Sequence, residues 1–274
     1  MGDRIREENE HESTMLASER QEDILRKVRL NKILRIKDLA AEYGVHEMTV
    51  RRDLDQLAER GQLDRFHGGA RLSEKHAEDL SHVLRSTQNI LEKERIARAA
   101  FDLIQDGDAI ALDASTSSLA LANLLSARKV EAFVTSLDAA DVLAASGTPF
   151  VLIGGQFNFS ARSFVGGFFQ QILSQLHPDK VFFSAKGYTP EDGFTDAHLA
   201  LAEVKIALRQ TGATMIALLD HTKFGRRSLA TVARTEEVDI VVTDEMPSDE
   251  ICEAFEKADV RLVLVPPITG PNNQ

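Results

Sequence analysis

The sequence contains no tryptophan and a single cysteine, Cys252. One cysteine excludes an internal disulfide framework and a cysteine-based zinc site, and it fits a reducing compartment. Aromatic residues make up only 6% of the chain, which argues against the base-stacking platforms of single-strand nucleic-acid binders. We expect neither a metal ion nor another cofactor.

Long apolar runs are also lacking. No segment reaches the length of a transmembrane helix, and the first eleven residues are mostly charged, unlike the apolar core of a signal peptide. The sequence therefore predicts a cytoplasmic protein without a membrane partner.

Positive charge is scarce over most of the chain. The whole chain has 32 Lys and Arg against 43 Asp and Glu, which gives a net charge of −11. Residues 1–18 carry a net charge of −3, residues 19–75 carry +2 and residues 76–274 carry −10. Because the acidic segments repel phosphates, nucleic-acid binding is expected in residues 19–75. A non-specific architectural DNA binder fits this distribution poorly.

Changes in composition and periodicity divide the chain into segments. We predict a disordered acidic tail over 1–18, a DNA-binding domain over 19–75, a polar linker over 76–92, a larger α/β domain over 93–266 and a loose tail over 267–274.

The segment 19–75 has the pattern of a winged helix-turn-helix. Apolar spacing predicts helices over Glu19–Leu30, Lys37–Tyr43 and Glu47–Arg60. Gly44 supplies the turn before the third helix, and short strands are expected on either side of His67-Gly68-Gly69, since Gly-Gly is a strong hairpin signal. The predicted strands are Leu63–Phe66 and Ala70–Leu72.

The third helix turns its apolar residues inward and so exposes a polar face. Adjacent arginines on that face can reach phosphates or guanine edges in the major groove, and the hairpin can touch the backbone or the minor groove. Two arginines on a helix can equally be solvated surface residues. The predicted DNA-contacting residues are Met48, Thr49, Arg51, Arg52, Arg65, His67, Gly68 and Arg71.

From residue 93 onward, strands and helices alternate, which predicts a mostly parallel, Rossmann-like sheet with helices on both faces. The predicted strands are Ala109–Leu112, Ala132–Thr135, Phe150–Ile153, Val181–Ser184, Thr214–Leu219, Ile240–Thr243 and Arg261–Val265. The predicted helices are Lys93–Gln105, Thr116–Ser126, Leu137–Ser146, Ala197–Gln210 and Asp249–Ala258.

Polar residues Asp113 to Ser118 join the first of these strands to a helix. Hydroxyls and main-chain N–H groups at a helix N-terminus can bind an anion. The same cluster can be an ordinary helix cap, and the residues alone leave both interpretations open.

The stretch Ile24 to Leu72 closely resembles the N-terminal domain of DeoR-family regulators. Two motifs carry the resemblance, in order and at the family's spacing: Met48 to Leu54 and His67 to Ala70. His46 departs from the pattern, because the family usually has a helix-capping serine there.

The resemblance continues to about residue 245. The loop Asp113 to Ser117 is similar to the family's Asp-x-Gly-Thr-Thr loop, with Ser115 in place of glycine and Ser117 in place of the last threonine. The family resemblance implies a sensor domain similar in fold to ribose-5-phosphate isomerase and coenzyme A transferases. It also implies a sugar-phosphate pocket at the carboxyl ends of the strands, where ligands commonly bind in open α/β sheets.

The resemblance also implies the effector-binding residues. Each of the three lysines among them can instead be a solvated surface residue, and Lys223 is the strongest candidate. The set is Asp113, Ser115, Thr116, Ser117, Thr135, Ser136, Gly154, Gly155, Lys186, Gly187, Glu203, Lys205, Asp220 and Lys223.

We therefore expect a sequence-specific transcription regulator, a repressor of carbohydrate-metabolism genes controlled by a phosphorylated sugar. Its expected partners are a double-stranded operator and a second copy of itself, as a homodimer or homotetramer. The alternative is an isomerase-like enzyme that uses acidic and basic groups on the same fold. Its candidate groups are Asp113, Glu203, Lys205 and Asp220; the regulator hypothesis assigns no catalytic residue.

Overall fold

The computed structural model describes residues 16–31, 33–60, 62–72 and 87–265. The chain divides into two compact units, residues 1–81 and 82–274. The expected acidic tail up to residue 15, residues 73–75 of the expected DNA-binding domain, residues 76–86 of the expected linker and the expected loose tail from 267 lie outside the described residues.

The described residues of the first unit form three helices and a three-stranded antiparallel sheet of order β1-β3-β2. Its elements are α1 (Ala17–Asn31), β1 (Ile33–Arg35), α2 (Ile36–Tyr43), α3 (Glu47–Glu59), β2 (Leu63–Phe66) and β3 (Gly69–Leu72). The sequence predicted all of them except β1, which lies in a short apolar run and pairs with β3. The winged helix-turn-helix prediction is confirmed.

The core of the first unit joins the three helices to the sheet through buried side chains such as Ile24, Leu39, Leu54 and Leu63. A buried ion pair also links α1 to α3, since Arg20 Nε lies 2.5 Å from Asp53 Oδ2. Asp53, which belongs to the motif Met48 to Leu54, thus has a structural partner.

The hairpin turn depends on two glycines with different roles. Gly68 adopts φ +94°, a conformation that side chains rarely take. Gly69 lies so close to β1 that a Cβ atom there would be 2.2 Å from the carbonyl oxygen of Leu34. The Gly-Gly pair therefore sets both the turn and the packing of the hairpin on β1.

The second unit is built on a seven-stranded parallel sheet, which confirms the α/β fold class. Its helices are α4 (Ile90–Phe101), α5 (Thr116–Ala122), α6 (Leu137–Ser146), α7 (Gly167–Leu173), α8 (Leu199–Arg209) and α9 (Asp249–Lys257). Its strands are β4 (Ala109–Leu112), β5 (Glu131–Val134), β6 (Phe150–Leu152), β7 (Gln156–Asn158), β8 (Ser163–Val165), β9 (Lys180–Phe183), β10 (Gly187–Thr189), β11 (Gly193–Asp196), β12 (Thr214–Leu219), β13 (Ala230–Ala233), β14 (Ile240–Thr243) and β15 (Arg261–Leu264).

Successive residues of the sheet's strands enter different cores, as the strand pleat requires. Val181 and Phe183 pack on one face with α7, α8 and α9, whereas Phe182 packs on the other with α4, α5 and α6. Both faces of the sheet are therefore buried under helices.

The strand order β15-β14-β12-β9-β4-β5-β6 reverses between β4 and β9. The chain runs outward from β4 to β6, then returns to β9 and continues outward on the other side. In open α/β sheets such a switch point leaves a crevice at the carboxyl ends of the two central strands. Here the residues that follow these strands are Asp113 and Ser184.

Several elements differ from the sequence-based expectation. Helix α4 begins at Ile90, so the expected linker is at least three residues too long at its C-terminal end. The sequence also missed α7, the hairpin β7–β8 and the small antiparallel sheet β10-β11-β13.

Within the described part of the chain, no helix combines the length and apolar character needed to cross a membrane.

Candidate functional site

The exposed face of α3 is the first candidate site. Val50, Leu54 and Leu57 are buried, whereas Met48 is 62% exposed. Arg51 and Arg52 are also exposed. The helix thus presents two cations and a flexible apolar side chain away from the core, as a helix that enters the major groove requires.

The entry to α3 is fixed by His46. Its Nδ1 accepts a hydrogen bond of 3.2 Å from the main-chain N–H of Met48, and its backbone is extended, as at other helix N-caps. Gly44 ends α2 with φ +64°. The histidine therefore caps the helix in the manner expected of the family's serine.

The hairpin contributes the remaining predicted DNA-contacting residues, and they differ in their surroundings. His67 and Gly68 are exposed at its tip. Exposed Arg71 lies 3.6 Å from Asp64. Arg65 instead contacts α3: it donates to the carbonyl of Arg51 over 3.0 Å and lies 2.9 Å from Asp55.

The second candidate site is a cavity at the switch point of the parallel sheet. It is bordered by the residues that follow β4, β5, β9 and β12, and by the N-terminal end of α4. The lining residues are Gln88, Asn89, Lys93, Asp113, Ala114, Ser115, Thr116, Ser117, Thr135, Ser184, Ala185, Lys186, Asp196, Leu201, Val204, Lys205, Asp220, Thr222, Lys223 and Arg226.

A buried ion triad forms part of the cavity wall. Lys205 Nζ lies 2.5 Å from Asp196 Oδ2 and 3.2 Å from Asp113 Oδ2, and it donates to the carbonyl of Ser184 over 2.5 Å. Burial opposes the charged ammonium, but the two carboxylates outweigh it and raise the pKa of Lys205. Burial likewise opposes ionisation of Asp196, and the ammonium outweighs it and lowers the pKa of that carboxyl.

The loop after β4 is held by its own polar groups. Asp113 Oδ1 accepts from the N–H of Ser115 over 3.0 Å and from Ser118 Oγ over 2.6 Å. Ser115 caps α5, since its Oγ accepts from the N–H of Ser118 over 3.1 Å. Thr116 and Ser117 lie beside the cavity without carrying the cap. The helix-cap interpretation thus applies to Ser115 and leaves the next two residues available.

Asp220 organises the opposite wall. Its Oδ1 accepts from the N–H of Thr222 over 3.1 Å and from Asn89 Nδ2 over 3.0 Å, and Lys223 Nζ lies 3.5 Å from its Oδ2. Burial would raise the pKa of Asp220, but the Thr222 hydrogen bonds and the charge of Lys223 outweigh it and lower that pKa.

One residue of the lining has a buried, unsatisfied hydroxyl. Thr135 is 1% exposed and follows β5, and among the described residues its Oγ1 has no hydrogen-bond partner. Buried polar groups are rarely left unpaired unless water or a ligand completes them.

The cavity is cationic although its unit is acidic. Three carboxylates line it, those of Asp113, Asp196 and Asp220. They face five cationic side chains, those of Lys93, Lys186, Lys205, Lys223 and Arg226. The ionised lining therefore carries a net charge of +2, against −10 for residues 76–274 as a whole.

The structure brings most of the predicted effector-binding residues together. Nine line the cavity: Asp113, Ser115, Thr116, Ser117, Thr135, Lys186, Lys205, Asp220 and Lys223. Five do not: Ser136, Gly154, Gly155, Gly187 and Glu203. Of these, Ser136 caps α6, Glu203 is exposed, and Gly187 allows the carbonyl of Arg226 to approach, 2.2 Å from where a Cβ would lie.

Sequence reasoning missed several lining residues. Asn89 lies in the expected linker and Lys93 at an expected helix start. Neither has a local sequence signal for a cavity, because the residues that it meets in the fold are distant in sequence. Arg226 had a usable signal, since it follows Lys223 by three residues in the same loop.

A helix-turn-helix with an exposed arginine pair, followed along the chain by an α/β unit with a cationic cavity at its switch point, defines the class of two-domain DNA-binding regulators. Comparisons with known proteins agree. The DeoR-like helix-turn-helix domain matches residues 20–76, and the DeoR C terminal sensor domain matches residues 88–245. The chain belongs to the DeoR family.

Named relatives are regulators. The HTH-type transcriptional regulator GolR of Listeria innocua is 32% identical over 246 residues, which are 89% of this chain and 97% of that protein. The lactose phosphotransferase system repressor of Staphylococcus epidermidis is 31% identical over 230 residues, 82% of this chain and 91% of that protein. A solved structure of D-ribose-5-phosphate isomerase in complex with phospho-erythronic acid is 17% identical with a TM-score of 0.37, covering 48% of this chain and 52% of that one.

The chain is thus a DNA-binding transcriptional regulator and not an enzyme. The isomerase alternative is not supported, because the relatives that match nearly the whole chain are named as regulators and repressors.

Proposed function

We propose that this protein represses carbohydrate-metabolism genes and that a phosphorylated sugar, bound in the switch-point cavity, relieves the repression. The observation that carries the proposal is the cationic lining of a cavity within an otherwise acidic unit. Local positive charge of this kind favours an anion over a neutral sugar.

The other lining groups suit the rest of such a ligand. Carboxylates of Asp113, Asp196 and Asp220 can accept hydrogen bonds from sugar hydroxyls, and the unsatisfied Thr135 hydroxyl can pair with a ligand oxygen. Thr116 and Ser117, at the start of α5, add two hydroxyl groups near the cations. The name of the lactose phosphotransferase system repressor supports a sugar-related role.

On the DNA side, we propose that α3 reads base edges through Arg51 or Arg52 and that the hairpin contacts the backbone. Arg65 is proposed to contribute mainly by positioning α3, because its guanidinium already contacts that helix. Paired half-sites are the usual target of a helix-turn-helix, so the binding form is proposed to be at least a homodimer.

The proposal is tested with the full-length chain in two measurements. Duplexes retained from a random DNA pool identify the operator, and thermal unfolding is followed with phosphorylated and unphosphorylated forms of the same sugars. A ligand at 100 times its Kd stabilises by about 2.7 kcal/mol. We expect stabilisation by at least one sugar phosphate and by none of the unphosphorylated sugars.

A matched pair of variants locates the ligand. Thr135→Val removes the unsatisfied hydroxyl at nearly constant shape, and Thr214→Val makes the same change at the opposite end of the sheet, on β12. Ligand stabilisation is expected to weaken in the first variant alone. Equal stabilisation in both variants would place the ligand elsewhere, and equal stabilisation by the unphosphorylated sugars would reject an anionic effector.

A further inference from the structure

Asn89 has an unusual backbone conformation for a residue other than glycine. It precedes α4 with φ 51° and ψ 43°, in the left-handed region that residues other than glycine seldom occupy. Its carbonyl oxygen accepts from the N–H of Lys93 over 3.0 Å, which begins the helix. Asparagine tolerates this region better than most residues, and here its side chain is also engaged.

The side chain of Asn89 is hydrogen-bonded to a residue of the cavity wall. Asn89 Nδ2 donates to Asp220 Oδ1 over 3.0 Å, across 131 positions of sequence. A second contact supports the same segment, since Nζ of buried Lys93 donates to the carbonyl of Gln88 over 2.5 Å. Gln88, Asn89 and Lys93 all line the cavity, so its wall includes the start of α4.

The same segment is where the second unit begins among the described residues. Asn89 lies 17 positions after Leu72, the last described residue of the first unit. The second unit begins at residue 82, so Asn89, whose side chain bonds to the cavity wall, lies among the first residues of that unit. A change in the hydrogen bonding of Asp220 therefore acts directly on Asn89, near the start of the second unit.

We propose that the hydrogen bond between Asn89 and Asp220 is a latch that couples the cavity to the DNA-binding unit. While this bond is present, it fixes the start of α4. A bound anion draws Lys223 and the Asn89 amide toward its own oxygens, and the bond to Asp220 is lost. This inference rests on the proposed function and adds its route of regulation.

Because the two states differ at this bond, breaking it by mutation reproduces the effect of ligand without any ligand. Asn89→Asp replaces the donor by a carboxylate facing Asp220 and keeps a residue that tolerates the left-handed region. Asn89→Gly removes the donor without adding charge or backbone strain. Asn123→Asp is the matched control: it makes the same chemical change at an exposed position, where the side chain bonds only locally to the carbonyl of Leu119.

The experiment measures operator affinity of the full-length, ligand-free variants at fixed salt, using the duplex selected by the unmodified chain. Coupling between sites is typically 5- to 150-fold, so we expect Asn89→Asp and Asn89→Gly to bind the operator about fivefold or more weakly than Asn123→Asp. Hydrogen exchange at the Lys93 amide, which bonds to Asn89, is expected to speed up in the same two variants. Thermal unfolding confirms that each variant is folded.

Affinities within twofold of the control for both Asn89 variants would overturn the latch. Failure of the proposed function gives a different result: no sugar phosphate would then stabilise the unmodified chain or Asn123→Asp in thermal unfolding, whatever the operator affinities of the Asn89 variants.

Discussion

Arg65 of β2 donates a hydrogen bond to the main-chain carbonyl of Arg51 in α3, over 3.0 Å. The same guanidinium lies 2.9 Å from Asp55, one turn further along α3. The hairpin and the exposed helix are thus joined by one side chain, and the direction in which α3 presents its arginines depends on β2.

The arginine pair on α3 is expected to dominate operator affinity. Replacing Arg51 and Arg52 together by alanine should abolish specific binding. If one of them reads a guanine, its single replacement should cost about 1–3 kcal/mol and relax specificity at one base. Arg227→Ala, an exposed arginine of the second unit, is the control. Unchanged affinity of the double variant would remove α3 from the interface.

Arg65 is expected to position α3 more than to neutralise a phosphate. Arg65→Ala should weaken operator binding while the dependence of affinity on salt keeps its slope. Loss of a phosphate contact instead makes the slope shallower by about one counterion. Titrations over a range of salt concentrations separate the two roles, and a shallower slope would assign Arg65 to the DNA backbone.

The buried triad predicts a large loss of stability. Lys205→Met leaves Asp113 and Asp196 buried without their cation, a change that costs about 3–5 kcal/mol. For a unit of this size the Tm should fall by roughly 6–20 °C. Glu203→Met, at an exposed position two residues earlier, should leave the Tm nearly unchanged. A fall of 1 °C or less in the lysine variant would show that the triad does not stabilise the fold.

The same triad makes the stability of the folded protein depend on pH. The pKa of Asp196 is lowered in the folded protein, so its stabilisation is present above its ordinary pKa of 3.8 and is lost as the pH falls through the lower folded value. In Lys205→Met that lowering is removed, and protonation relieves the unpaired carboxylate. The Tm difference between wild type and variant should therefore be largest near pH 7 and narrow toward pH 4. A constant difference would contradict the pairing.

The second unit is expected to fold alone. It has its own two cores on the faces of one sheet, and the first unit has a separate core. A fragment of residues 76–274 should unfold cooperatively and keep the ligand-induced rise in Tm, without binding the operator. A fragment that lacks a cooperative transition would mean that the two units share stabilising contacts.

Much of the second unit was predictable because its central strands are continuous apolar runs buried on both faces. The predicted bounds of β4, β12 and β14 agree with the structure for that reason. The hairpin β7–β8 was missed because its strands have three residues each, too few to show a period.

The cavity was only partly predictable. The loop from Asp113 to Ser117 has a local pattern that motif comparison can find. Asn89 has none, since its role depends on a contact with a residue 131 positions away. The tertiary structure alone places the start of α4 beside the carboxyl end of β12.

A single titration tests whether a sugar phosphate in the cavity controls operator binding. Operator affinity is measured at fixed salt with increasing concentrations of the stabilising sugar phosphate, for wild type, Lys223→Ala and Arg227→Ala. We predict that wild type and Arg227→Ala lose affinity by about 5- to 150-fold, while Lys223→Ala binds the ligand-free operator and responds far less. An operator affinity that is independent of the sugar phosphate in wild type, or an equal response in all three proteins, would show that this cavity does not control operator binding.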